Sequence, residues 1–244
     1  ERGSMNDTSL LISGYDYIRK VPGFFDGEFV VQDQSSCLAV KAAGINEGDL
    51  VVDVCAAPGG KTMYAAMLTG SEGHVISRDL IDKKTELIEE NIERLGLSNV
   101  TVQVHDAREF DEELTGKADV VIADLPCSGL GIMGRKNDIK YHVSMESVKE
   151  LAQLQREILD TVCRYVKPGG TLVYSTCTID SIENDENAVW FADTHDFSLC
   201  GIDDVVPEHG GERGFVTLHQ GIDECDGFFI SKFRADSNNQ IGQE

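Results

Sequence analysis

Short runs of β-branched and aliphatic residues recur along the chain, each followed by a stretch whose apolar positions return every three or four residues. LVVDVC (50–55), HVISRD (74–79), VTVQVH (100–105), DVVIAD (119–124) and TLVYST (171–176) read as buried strands. Residues 61–68, 83–95, 147–165 and 181–192 read as helices. Within 83–95, Leu87, Ile88, Ile92 and Leu95 share one face, and Gly96 supplies the stop. KPGG (167–170) breaks the chain before the fifth strand. Such alternation predicts an α/β fold, a mostly parallel sheet with helices on both faces. GFVTLHQ and DGFFISKF add an antiparallel pair that closes one edge, giving seven strands.

The first forty or so residues do not follow this rhythm. Residues 1–5 read as a cloning remnant and 6–36 as a lead-in, the end of an upstream RNA-binding region. Residues 37–235 form the main domain and 236–244 a polar tail. At 244 residues and 26.7 kDa, such a chain buries a core without disulfides or structural metal. Its seven cysteines are an odd number with no C-x-x-C pair or Cys/His cluster, which predicts no metal and a reducing, cytoplasmic setting. No apolar run is long enough to cross a bilayer, and a monomer is expected.

The net charge of −22 argues against indiscriminate binding to polyanions, since neutralising phosphate needs lysine and arginine. A local basic surface remains open. GRKNDIKYH (134–142) gathers Arg135, Lys136, Lys140 and His142, though on charge alone an ordinary solvated loop is the better reading.

DVCAAPGGKT (53–62) ends like a triphosphate loop, G-x-x-x-x-G-K-[ST], but Cys55 stands where the first glycine belongs. The dinucleotide pattern G-x-G-x-x-G fails as well, because only Gly59 and Gly60 are present. A strand, a glycine turn and a helix start survive, a geometry that lets backbone approach a ligand. Asp79, Asp106 and Asp124 stand at or just beyond three other strand ends, where open α/β sheets bind ligands. Each alone reads as a cap or a solvated turn. Together they would repel a triphosphate and suit a nucleoside bearing a cationic sulfonium, S-adenosylmethionine. Asp79 is placed for ribose hydroxyls, and Lys61 can reach back into the site.

DLPCSG (124–129) and STCT (175–178) place Cys127 and Cys177 beyond the fourth and fifth strands, facing the same crevice. Cys37, Cys163, Cys200 and Cys225 read as small buried hydrophobes, and so does the Cys55 thiol. The polar turns around Cys127 and Cys177 favour reactive thiols, provided their acidity is raised.

VQDQSS, DVCAAPGGKT, DLPCSGLGIMGRKNDIKY, YSTCTIDSIENDENAVWF and DGFFISKF, in this order, resemble the Sun/RsmB group of RNA (cytosine-5) methyltransferases over about residues 21–233. The stretch through RKNDIKY is most similar to the bacterial members that act on 16S ribosomal RNA. The resemblance implies a Rossmann-like S-adenosylmethionine-dependent methyltransferase fold. It implies that Cys55, Ala56, Ala57, Pro58, Gly59, Gly60 and Lys61 wrap the methionine and ribose of the cofactor. Asp79 would hold the ribose, Asp106 the adenine amino group, and Asp124 would lie between cofactor and target base. Cys177 would be the nucleophile at carbon 6 of cytosine, with Cys127 assisting release. Arg135, Lys136 and Lys140 would contact RNA.

The nearest rival makes Cys127 the nucleophile, because DNA cytosine-5 methyltransferases use a Pro-Cys at the corresponding strand end. The sequence also leaves open a transfer RNA substrate and a non-catalytic RNA-assembly factor. A P-loop hydrolase is disfavoured by Cys55 in the first glycine position.

Overall fold

The computed structural model describes residues 1–3, 8–206 and 211–237. Ser4 and Met5 of the expected remnant, the first two lead-in residues and the tail beyond Ser237 lie outside them. Five parallel strands carry the domain: β1 (Leu50–Asp53), β2 (His74–Asp79), β3 (Val100–Val104), β4 (Ala118–Asp124) and β5 (Val166–Thr176). The antiparallel strands are β6 (Phe197–Leu199), β7 (Phe215–Leu218) and β8 (Phe228–Ala235). The order is β3-β2-β1-β4-β5-β8-β6, with β7 also paired to β8. β7 pairs with the first half of β8 and β6 with its end, so eight strands fill seven positions. The expected closing pair is β7 and β8; the three-residue β6 is too short to leave a periodic signal.

The fifth strand begins earlier than its sequence suggests. Ala118 pairs with Val166 and Val120 with Thr171, so the register shifts across KPGG, which is looped out within β5. The glycines and proline that read as a break do interrupt the ladder locally, and pairing resumes beyond them.

Side-chain alternation along the strands builds two cores. Val51, Val120, Val173 and Ile230 face one side, where α1 (Gln34–Ala43) and α2 (Gly60–Thr69) pack with Leu38, Val40 and Ala65. Val52, Val121, Leu172 and Phe229 face the other, against Ile158 and Leu159 of α5 (Met145–Val162) and Phe191 of α6 (Asp185–Thr194). α3 (Asp82–Leu95) contributes Ile88 to a smaller cluster with Met63 and Ala56. Between β4 and α5, α4 (Ile139–His142) is a single turn.

α1 has no counterpart among the helices that the sequence pattern predicts. Asp33 caps its start by accepting from the Ser35 N–H at 3.0 Å, and Gly44 ends it in the left-handed region at φ 66°. Nearly all of its side chains are buried, so it has no polar face to mark a period. Among the described residues no helix is long and apolar enough to cross a membrane.

Candidate active site

The parallel strands end side by side, and their carboxyl ends carry Asp53, Asp79 and Asp124. Between β1 and α2 the chain turns through residues 54–59. The Ala56 N–H donates to the Arg78 carbonyl at 2.8 Å, and the Ala57 N–H to Asp79 Oδ2 at 3.1 Å. Asp79 Oδ1 also accepts from the Ile81 N–H at 3.2 Å. Gly59 sits at φ +101°, where a side chain is strained, and its missing Cβ would stand 3.3 Å from Ile88 and Met63. This glycine lets the turn lie flat on α3 while α2 starts at Gly60.

Above the turn lies a cleft of about 870 Å³. One wall holds Asp53, Cys55, Ala56, Ala57, Pro58, Gly60, Lys61 and Asp124; the lead-in supplies Ile18, Phe24, Val30 and Gln32 opposite. Asp53 is fully buried, and burial pushes its carboxyl up to about 7. Its Oδ2 accepts from the Thr62 hydroxyl at 2.7 Å, whereas Oδ1 has no hydrogen-bond partner among the described residues. Asp53 is missing from the site that the sequence predicts, although it ends a strand just as Asp79 and Asp124 do.

Lys61 spans the floor. Its ammonium donates to Asp124 Oδ2 at 2.6 Å and to Ser36 Oγ at 3.2 Å, and lies 5.2 Å from the centre of the Phe228 ring. Asp124 Oδ1 accepts from the Ser175 hydroxyl at 2.8 Å. The expected reach of Lys61 therefore ties the first strand's loop to the fourth strand's end. Asp79 and Asp106 do not line this cleft. Asp79 is engaged with the turn as described, and Asp106 is paired with the Arg108 guanidinium at 2.6 Å. That hydrogen-bonded pair holds the Asp106 carboxyl below its ordinary range.

Cys127 and Cys177 come together with their Sγ atoms 3.3 Å apart. Hydrogen bonding with Cys127 lowers the Cys177 thiol, Lys61 adds to the effect, and burial and Asp124 oppose it. Cys127 shifts up, because it keeps the shared proton and is buried. The pair shares one hydrogen bond between sulfurs, and Cys177 is its more acidic member. By contrast, burial pushes Cys163 and Cys225 up to about 12 and raises the Cys55 thiol further, as befits unreactive sulfur.

The loop after Cys127 docks against two other segments. The Gly131 N–H donates to the Cys177 carbonyl at 3.0 Å, and the Gly227 N–H to the Gly131 carbonyl at 2.9 Å. Farther along, Arg135 binds Asp33 at 2.7 Å and Asp226 at 3.1 Å, so two carboxylates already neutralise its guanidinium. Lys136 and Lys140 are exposed, the latter 5.0 Å from the centre of the Tyr141 ring. Among the described residues no group of three or more His, Cys, Asp or Glu is placed to hold a metal ion.

Comparison with known proteins adds a family to this geometry. A family described as 16S rRNA methyltransferase RsmB/F matches residues 41–234. The chain is 42% identical over 220 residues to a probable ribosomal RNA small subunit methyltransferase B of Bacillus subtilis, covering 86% of this chain and 48% of that protein. The crystal structure of PH0851 superposes with a TM-score of 0.89 at 31% identity, covering 96% of this chain and 53% of that one. NSun6 from Pyrococcus horikoshii, solved with SFG, gives a TM-score of 0.77 at 29% identity, covering 90% and 56%. The chain spans about half the length of the curated relatives it matches.

Proposed function

Because the chain belongs to the 16S rRNA methyltransferase RsmB/F family, we propose that it transfers a methyl group from S-adenosylmethionine to carbon 5 of a cytosine in RNA, with 16S ribosomal RNA as substrate. The observation that carries this reading is the pair of thiols 3.3 Å apart beside the Lys61–Asp124 ion pair. A thiol made more acidic by a second one, close to the Lys61–Asp124 pair that lines the cleft although neither cysteine does, is the equipment that cytosine methylation requires.

The cleft suits the cofactor. Asp53 presents an unpartnered carboxylate oxygen that can accept from the cofactor's ammonium group, and the turn 55–61 offers backbone close by. Asp79 is assigned to the ribose and Asp106 to the adenine amino group, the latter after Arg108 yields its place. When bound, S-adenosylmethionine supplies an electrophilic methyl group on a cationic sulfur, which the surrounding acids favour. That NSun6 was solved with SFG lends weight to a ligand site on this fold.

Carbon 5 of cytosine is a weak nucleophile while the ring stays conjugated. The Cys177 thiolate adds at carbon 6, and its electron pair forms the S–C bond as the ring's π pair moves towards carbon 5. Asp124 is assigned to N3: its carboxylate, held by Lys61 and Ser175, takes up a proton from solvent and donates it to N3 as charge builds there. Once carbon 5 carries the methyl group, whose bond to the cofactor's sulfur would break with the electron pair left on that sulfur, a water takes the remaining carbon 5 proton, or Cys127 does after losing its own proton to solvent. The carbon 5–carbon 6 double bond re-forms and expels Cys177 as thiolate. The base must leave its stack to reach these groups. Lys136 and Lys140, exposed on the segment after Cys127, are assigned to RNA phosphate, as is Arg135 once freed from Asp33 and Asp226.

The test is methyl transfer from labelled cofactor to unmodified 16S ribosomal RNA and, separately, to transfer RNA, with the product mapped as 5-methylcytosine. Label in the ribosomal RNA at carbon 5 supports the reading. Label only in transfer RNA replaces the substrate, and transfer to another atom overturns the chemistry.

A further inference from the structure

Behind the two thiols lies a buried polar cluster that the proposed chemistry does not use. Glu183, fully buried in the turn before α6, is its centre. Glu183 Oε2 accepts from the Ser128 N–H at 2.9 Å and from Gln155 Nε2 at 2.9 Å, and Oε1 accepts from the Ser128 hydroxyl. Ser128 and Thr178 share a hydrogen bond between their hydroxyls at 2.8 Å. Ser128 directly follows Cys127, and Thr178 directly follows Cys177.

The residues on the other side of each cysteine are held from the same place. Gln155, itself fully buried on α5, donates to the Pro126 carbonyl at 2.9 Å. The Thr176 hydroxyl donates to Asn184 Oδ1 at 2.6 Å, and Asn184 Nδ2 donates to the Thr178 carbonyl at 3.1 Å. The Tyr174 hydroxyl reaches both Gln155 Oε1, at 3.0 Å, and the Glu183 carbonyl. Both thiol loops are therefore fixed to one anionic centre. A buried carboxylate is costly to place without an ammonium or guanidinium partner, and here its hydrogen-bond donors are neutral groups. Core packing alone does not call for a carboxyl at this position, since a wholly apolar cluster would fill the same space.

We propose that Glu183 is a positioning residue that sets the separation of Cys127 and Cys177, so that the Cys127 thiol stays within hydrogen-bond reach of the Cys177 sulfur. The proposal rests on the methyltransferase reading for its catalytic consequence but not for its geometry. A glutamine in place of Glu183 keeps the shape and offers an NH₂ where donors already converge. The Ser128 hydroxyl must then turn from donor to acceptor and give its proton to Thr178, so bonds to a carboxyl acceptor become weaker amide ones and the hold on Cys127 loosens. Cys177 loses its neighbour's proton and is left with Lys61 in its favour and Asp124 against it, the charged groups that act on it directly.

The experiment compares wild type, Glu183→Gln and Ser128→Ala by two measurements. Alkylation of Cys177 by iodoacetamide, followed by mass spectrometry across pH, needs neither RNA nor cofactor. Covalent trapping on 5-fluorocytosine RNA with cofactor measures the chemistry. The expected result for Glu183→Gln is an alkylation profile moved to higher pH and trapping about 10- to 100-fold slower, with RNA and cofactor affinity unchanged. Ser128→Ala, which keeps the N–H bond to Glu183, should show the same shift in smaller degree and covers the case in which Glu183→Gln fails to fold. Unchanged alkylation profiles in the folded variants overturn the proposal. Absence of trapping by wild type counts against the methyltransferase reading instead, and the alkylation profiles still decide on Glu183.

Discussion

Lys61 Nζ and Asp124 Oδ2 stand 2.6 Å apart, and the pair joins the start of α2 to the end of β4 across the floor of the cleft. Lys61 serves two groups, since its charge also favours the Cys177 thiolate. Lys61→Met should slow covalent trapping at neutral pH by about 100-fold, with activity recovering as pH rises. A pH series of single-turnover rates checks this. An unchanged profile would separate Lys61 from the thiol chemistry.

The two cysteines are distinguished by which one keeps the trapped base. Cys177→Ser should abolish the covalent complex with 5-fluorocytosine RNA. Cys127→Ser should still form it and release product slowly, so that the complex accumulates even with ordinary cytosine. Gel mobility under denaturing conditions reads both outcomes. The reverse pattern would make Cys127 the nucleophile.

Asp53 makes stability depend on pH in the absence of ligand. Its carboxyl titrates near 7 in the fold, against an ordinary 3.8. The unfolded chain then binds fewer protons than the fold between those values. The contribution is whole below about pH 4, declines as pH rises and is gone above 7, a loss of about 4 kcal/mol. Asp53→Asn carries no such loss. Its melting temperature relative to wild type should climb between pH 4 and 7 and then level off. Taking the difference cancels carboxylates such as Asp106 and Asp111, whose lowered pKa values act in the opposite sense.

Gly131 is packed against backbone, not side chains. A Cβ there would fall 2.0 Å from the Gly227 carbonyl oxygen and 2.8 Å from the Cys177 carbonyl oxygen. Gly131→Ala should cost about 1–3 kcal/mol, a drop of several degrees in melting temperature, and should slow trapping because the displaced loop carries Cys127. Differential scanning calorimetry and the trapping assay measure the two effects.

If Lys136 and Lys140 meet phosphate, replacing each with alanine should weaken RNA binding and reduce the slope of log affinity against log salt by about 0.7. Titrations over a range of salt concentrations test this directly. Slopes that do not change would return the segment to an ordinary solvated loop.

The parts of the fold carried by local pattern are legible in the sequence. β1 to β5 each have a run of β-branched residues, and α3 has a polar face that marks its period. α1 is hidden because burial on nearly every side erases the contrast from which a helix is read. At the site, motifs locate Cys127, Cys177, Asp124 and Lys61, since each lies next to a turn residue or a strand end. The Glu183 cluster is not legible, because its bonds to Ser128 span 55 residues and no periodicity connects them. The pairing of Arg135 with Asp33 and Asp226 is hidden for the same reason.

The looped-out KPGG segment of β5 has a practical consequence. It absorbs the mismatch between β4 and β5 at their amino ends, so the ladder from Thr171 to Ser175 runs in register up to the end that carries Asp124 and Ser175. Along an extended chain, the seven residue steps from Gly170 to Cys177 cover about 23 Å. That distance, together with the slack already present, makes the turn a natural place to graft a fluorescent reporter or an affinity handle while the opposite edge of the sheet goes on working undisturbed.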